Sequence, residues 1–157
     1  LEVLKDGENR KLRETEEIAS SCSNSLEIFL KVYRKFLQDL RRTNRNYFRD
    51  LKRYHPNVAS FFEQRKEEGI RNNILLTEKG IEEGYIRPEL NPEILSLLLQ
   101  AQFEMLVSSE IIDTNRFTFP EVFETIVMNY ARGIVTPKGM ELIEEFERAC
   151  NHITSKN

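Results

Sequence analysis

The sequence predicts an all-α fold, a bundle of about seven helices in a single domain over residues 1–157. Apolar residues recur at three- and four-residue steps through most of the chain, which is the spacing of helices with one buried face. Four of the five prolines stand where a helix should begin, a position that tolerates proline because the first amides of a helix have no partner within it. No stretch of useful length alternates as a strand does.

Net charge, cysteine content and the length of apolar runs argue against several classes of protein. A net charge of −3 and a pI near 5.6 argue against a chain that binds nucleic acid by bulk electrostatics. Two cysteines, Cys22 and Cys150, have no metal-ligand spacing and fit a reducing, cytoplasmic setting. No apolar run reaches the ~20 residues that a membrane span needs, so no membrane partner is expected. The first residue is leucine, and we expect the chain to be a fragment.

The N-terminal third divides into two predicted helices and a short third one. Residues 1–22 carry a narrow apolar stripe, so this helix must pack against a neighbouring helix to be stable. Asn24, with a glutamate three residues later, resembles a capping box that starts the clearest amphipathic helix, over 24–42. A short helix over 43–55 must stop before Pro56, because proline disfavours a helical conformation in the preceding residue.

A long helix is predicted from Pro56 to Gly84, with a bend at Gly69 or Gly80, where glycine weakens the helix. Gly84 suits the left-handed position just past a helix C-terminus. A tight corner follows, and Asn91 then offers an N-cap oxygen to a helix that starts with proline.

The helix predicted over 92–112 has an unusually wide apolar arc. Residues placed at ~100° steps give an arc of roughly 240°. The remaining polar strip holds four residues: Glu93, Ser96, Gln100 and Glu104. One neighbouring helix cannot cover so wide an arc, so the helix is either buried completely within its own chain or shared with a second copy.

Two more helices complete the prediction. Thr118 and Glu121 form a second capping box before a helix that ends near Val135. Thr136 then caps an amphipathic last helix that starts at Pro137.

Residues 78–93 carry a family resemblance. They read Glu-Lys-Gly-Ile-Glu-Glu-Gly-Tyr-Ile-Arg-Pro-Glu-Leu-Asn-Pro-Glu, which resembles the corner between the seventh and eighth helices of TetR-family transcriptional regulators. The predicted helices are similar in order and length to helices four to ten of that family. The family's helix-turn-helix head has no counterpart in this sequence.

The resemblance implies a regulatory domain that binds a small effector and dimerises. Residues 1–22 would join the missing DNA-binding head to the body, and DNA would be bound only through that head. A small apolar effector would lie between the body's first helices, lined by six residues: Phe29, Tyr33, Phe62, Ile70, Asn73 and Phe103. No cofactor is implied.

The resemblance also implies a homodimer through residues 92–135. Seven residues are predicted at its interface: Leu98, Gln102, Met105, Ser109, Phe123, Ile126 and Tyr130.

Other interpretations remain open for these side chains. The aromatic residues fit an ordinary core equally well, and Asn73 and Gln102, which lie in apolar arcs, can bond to each other, to water or to a ligand. The main alternative function is a helical-bundle interaction module with no small-molecule site. An enzyme is not expected, because His55 and His152 lack partners at catalytic or ligand spacing.

A basic stretch lies between Lys31 and Arg53, with nine lysines or arginines against two aspartates. It is typical of a nucleic-acid surface, but also of the solvated side of two amphipathic helices. A third possibility is that these charges lie near the absent head and assist it beside phosphate.

Overall fold

The computed structural model describes the backbone of residues 2–42, 56–108 and 116–154, and side chains from 6–42 (except 8), 64–106 and 116–151. This part of the chain is helical and contains no strand, so the all-α prediction is confirmed. Its six helices are α1 (Glu2–Ser21), α2 (Ser25–Arg41), α3 (Pro56–Glu82), α4 (Pro92–Ser108), α5 (Phe119–Ile134) and α6 (Pro137–Thr154). The predicted short helix over 43–55 lies outside the described residues.

Hydrogen bonds at the helix ends explain why the helices start where they do. At α5, Thr118 and Glu121 form the predicted capping box in both directions. At α2, the Asn24 side chain accepts from the Glu27 amide at 2.8 Å. The Glu27 carboxylate accepts from the Ser23 amide instead of completing the box. Asn91 accepts from the Glu93 and Ile94 amides at 2.9 and 3.2 Å, so α4 begins as predicted.

The corner between α3 and α4 depends on two glycines. Gly84 has a φ of +79°, a left-handed conformation that glycine adopts without steric cost, so its predicted role is confirmed. Gly80 lies within α3, which runs unbroken through it and Gly69. A Cβ on Gly80 would lie 2.5 Å from Ile86 Cδ1. Gly80 therefore lets the corner fold back against the helix.

The core lies where α2, α3, α4 and α5 meet. Helix α2 packs on α1, α3, α5 and α6, whereas α4 packs on α3 and α5. The core side chains are mainly leucines of α2 and α4 with the apolar side of α5, and Ile143 of α6 completes them. The described side chains of α1 add little, because Leu12 stays exposed and Ile18 and Ala19 are only half-buried.

Candidate functional site

A cluster of aromatic rings fills the space between α2, α4 and α5. Phe29 and Tyr33 of α2 have centroids 4.5 Å apart, and Tyr33 lies 5.7 Å from Phe103 of α4. Phe103 stacks on Phe123 of α5 at 5.2 Å, and Phe29 lies 5.6 Å from Tyr130. These separations are those of rings in direct contact, in the tilted and stacked arrangements that aromatic pairs favour.

A polar group of side chains borders this cluster. Asn73 of α3 donates from Nδ2 to Ser96 Oγ of α4 at 2.9 Å and to the Tyr130 hydroxyl of α5 at 3.1 Å. The Thr77 hydroxyl donates to the Asn73 backbone carbonyl within α3 at 2.7 Å. Three helices are thus joined at one buried point, as expected for polar atoms removed from water.

The two tyrosines of the site are neutral at physiological pH. Burial raises the pKa of Tyr130, and the hydrogen bond that its hydroxyl accepts from Asn73 opposes that shift. Burial also raises the pKa of Tyr33, and the nearby Tyr130 phenol adds to the shift. Burial acts in this direction because it penalises the charged phenolate.

The structure brings together most of the residues predicted to bind an effector. Phe29, Tyr33 and Phe103 belong to the aromatic cluster, and Asn73 lies beside it. Ile70 is half-buried, one helical turn before Asn73. The side chain of Phe62 lies outside the described residues. Of the partners left open for Asn73, the structure assigns Ser96 and Tyr130.

Helix α4 turns a broad apolar face away from the core. Leu98 is 55% exposed and Met105 50%, and Ile94 and Leu97 are exposed to a similar degree. Ala101 lies among them and is also exposed. Because these residues recur at three- and four-residue steps, they share one side of the helix. We call Ile94, Leu97, Leu98, Ala101 and Met105 the outer face of α4.

The polar strip predicted for α4 is not its solvent side. Ser96 is only 2% exposed, because it bonds to Asn73 across the contact with α3. Gln100 is half-buried, whereas Glu93 and Glu104 are exposed. The side opposite Ser96, which is the more apolar, faces out.

The residues predicted at a dimer interface divide into outward and inward sets. Leu98, Gln102 and Met105 are exposed on α4, and Ile126 of α5 is partly buried against the core. Ser109 lies outside the described residues.

Two members of that predicted set face the interior instead. Phe123 is 3% exposed and stacks on Phe103, and Tyr130 bonds to Asn73. Phe123 therefore has almost no surface to offer an interface, whereas Tyr130 is partly exposed and its place in a dimer stays a prediction.

The corner is bound to the turn between α5 and α6, a contact that the sequence reasoning missed. Ile86 and Val135 form an isolated antiparallel bridge. The Thr136 hydroxyl donates to the Gly84 carbonyl at 2.8 Å, and Arg87 Nη2 donates to the Gly133 carbonyl at 2.7 Å. Arg87 is 46 residues from Gly133 and Thr136 is 52 residues from Gly84, separations at which the sequence gives no sign of pairing.

Within the described part of the basic stretch, several cations have partners in the same chain. Lys31 pairs with Glu27, and Lys35 pairs with Glu14 and Asp39. The Arg34 guanidinium lies 5.6 Å from the Phe146 ring centroid, and Arg41 lies 3.5 Å from Glu124. This arrangement favours the solvated-face interpretation for α2.

The described residues form neither a metal site nor a membrane-spanning helix. No group of three or more histidine, cysteine, aspartate or glutamate side chains there is placed to hold a metal ion. Likewise, no described helix is both long and apolar enough to cross a membrane.

Comparison with known proteins identified no relative of this chain. The chain matches no protein-family model, and searches of curated proteins and of solved structures found no match.

Proposed function

We propose that this chain is the ligand-sensing and dimerising domain of a TetR-like bacterial transcriptional regulator. The observation that carries the proposal is the outer face of α4, five apolar residues exposed on one side of a helix whose other side lies in the core. The corner sequence over 78–93 supports the family assignment. DNA binding would belong to a helix-turn-helix that precedes this chain in a cytoplasmic parent protein.

The outer face supports a homodimer. Leaving several leucines exposed on one helix costs hydrophobic free energy, at ~25 cal/mol for each Å² of apolar area in water. Contiguous exposed apolar patches mark interaction surfaces. A two-fold dimer would pair each patch with its own copy, so that Leu98 and Met105 of one chain approach those of the other. Ile126, which is partly exposed on α5, would extend that surface.

The aromatic cluster supports a small-molecule effector. Ligand sites are usually apolar and aromatic with a few polar groups that orient the ligand, and Asn73, Ser96 and Tyr130 supply such groups beside the rings. The mechanism would be a population shift, since a ligand can change an equilibrium only by binding one conformation more tightly than another. Helix α1 would transmit that change to the DNA-binding head.

A second candidate function is a helical-bundle interaction module with no small-molecule site. The aromatic rings favour it, because Phe103 and Phe123 stack directly on each other. The bonds of Asn73 to Ser96 and Tyr130 also satisfy its amide without a ligand. Both candidates require the outer face of α4, so the presence of an effector site separates them.

Sedimentation velocity at micromolar concentration tests the shared requirement. We expect the wild-type chain to sediment as a dimer, and Leu98→Glu or Ile126→Glu to give folded monomers. Leu75→Glu is the matched control, because Leu75 is 58% exposed on α3, away from the outer face of α4. A well-folded wild-type monomer would overturn the proposal. Disruption by Leu98→Glu alone would restrict the interface to α4.

A further inference from the structure

We propose that two copies of this chain pair through α4 in antiparallel orientation and in one defined register. In this register Leu98 of one copy packs against the partner's Ala101. Ile94 likewise packs against the partner's Met105. The inference rests on the homodimer of the proposed function and adds the direction and the register of the two helices.

The centre of the outer face is a single line of side chains along α4. Ile94, Leu98 and Met105 are 56, 55 and 50% exposed, and Ala101 is exposed among them. The four follow one another at steps of four, three and four residues, which is the spacing of the a and d positions of a coiled-coil heptad. We call these four residues the central stripe. A second helix with the same spacing can pack along it, because each side chain enters a gap between side chains of the facing helix.

The uncharged character of the central stripe favours a second copy as its partner. A two-fold axis brings the same patch of both chains together, so a charge at the centre of the patch would meet its own like charge at a cost in free energy. None of the four residues is charged, and the exposed Glu93 and Glu104 lie about 90° around the helix from them. A strongly charged partner would find no counter-charge on the stripe, whereas an identical apolar stripe matches it.

The sizes of the four side chains decide the direction of the pair. In a parallel pair each residue meets its own copy, so two Ala101 side chains would face each other and leave a gap between larger neighbours. In an antiparallel pair, a positions face d positions, and the stripe is symmetric about the point midway between Leu98 and Ala101. Leu98 then fills the space beside the partner's Ala101. Large side chains set against small ones across a contact pack without voids, and antiparallel helix dipoles attract each other.

The length of α4 sets how much of the interface this pairing supplies. Its 17 residues make a helix about 25 Å long and about 10 Å wide, a footprint of roughly 250 Å². A typical stable interface buries about 800 Å² on each partner. The α4 pair is therefore the centre of the dimer, and neighbouring apolar surface, such as the partly exposed Ile126 of α5, must add to it.

Disulfide cross-linking tests the direction of the pair. Ile94→Cys and Met105→Cys are made as separate full chains in a Cys22→Ser/Cys150→Ser background, which removes both native free thiols. A disulfide requires Cα atoms within about 7 Å of each other. In the antiparallel register Ile94 faces the partner's Met105, whereas the two copies of Ile94 lie about 16 Å apart along the helix axis, the rise of about 11 residues.

The two variants are mixed under reducing conditions, which lets subunits exchange, and are then oxidised. We expect a cross-linked dimer in the mixture and none in either variant alone. A mixture of Ile94→Cys with Leu75→Cys is the matched control and should form no disulfide, because Leu75 is similarly exposed, at 58%, but lies on α3. Circular dichroism and sedimentation velocity check that each variant is folded and dimeric before oxidation.

The outcomes separate this inference from the proposed function. Cross-linking of Ile94→Cys or Met105→Cys with itself would show a parallel pair and overturn the register. A dimer in which the mixture forms no disulfide would show that the two stripes do not meet, which overturns this inference and leaves the homodimer in place. A wild-type chain that sediments as a folded monomer would overturn both.

Discussion

Asn73 and Ser96 are 23 residues apart in the chain and meet in the interior, where Asn73 Nδ2 donates to Ser96 Oγ at 2.9 Å. Ser96 is one of the four residues that the apolar pattern assigned to the polar side of α4. Its bond to Asn73 joins α4 to α3 at a buried point, with Ser96 on the inner side of α4. The outer face of α4 lies on the opposite side of the helix.

The first prediction concerns this bond. Ser96→Ala should lower the free energy of unfolding by about 1–3 kcal/mol, because it leaves a donor of buried Asn73 without its acceptor. Urea unfolding at equilibrium measures the change. Ser20→Ala is the control, since the Ser20 hydroxyl is exposed on α1, and it should stay within about 0.5 kcal/mol of wild type. Equal stabilities of the two variants would show that the bond does not order the interior.

The second prediction compares two glycines. Gly84→Ala should destabilise the chain by about 1–2 kcal/mol, because its φ of +79° is left-handed and disfavours a side chain. Gly69→Ala should stabilise it by roughly 0.5–1 kcal/mol, because Gly69 is inside α3 with open space around its Cβ position. Thermal unfolding reports both, at roughly 2–4 °C per kcal/mol for a chain of this size. Shifts of the same sign in the two variants would contradict the account.

The third prediction concerns acid stability. The hydrogen bond from Lys31 is the main reason that the pKa of Glu27 is lowered from its ordinary value of 4.5, and the Ser23 amide adds to it. A carboxyl group with a lowered folded-state pKa stabilises the fold above its unfolded pKa, and that contribution is lost as pH falls through the folded pKa. Glu27→Gln should therefore cost stability near pH 7 and reduce the loss of stability below about pH 4.5.

Urea unfolding between about pH 7 and pH 3 measures this dependence. Glu78→Gln, a charge removal at an exposed position on α3, is the control for net charge. A wild-type acid profile in Glu27→Gln would count against the role of this carboxylate at the start of α2.

The fourth prediction concerns DNA. The chain alone should show no sequence-specific duplex binding at about 0.15 M salt, because its net charge is −3 and several cations of α2 pair within the chain. Fluorescence anisotropy with a labelled duplex library tests this. Selective, salt-resistant binding would show that these 157 residues recognise DNA themselves. It would contradict the proposal that DNA is bound only by a separate helix-turn-helix.

The sequence by itself determined where helices begin and end. Thr118 with Glu121, Asn91 before Pro92, and Gly84 after α3 each act through bonds or dihedral angles within a few residues. Such local effects can be predicted from a single sequence because the interacting groups are neighbours in the chain. The amphipathic pattern predicted over 24–42 likewise corresponds to α2, a helix with one buried side.

Only the tertiary structure decided how α4 is rotated and what the corner contacts. Helix α4 is apolar on nearly every side, so its pattern could not say which leucines face the core. In the structure, Ser96 is buried and bonds to Asn73, a residue distant in sequence, whereas Leu98 and Met105 are exposed. The pairing of Arg87 with the Gly133 carbonyl likewise joins residues 46 apart. Contacts of this kind depend on how several helices pack at once, which no local pattern encodes.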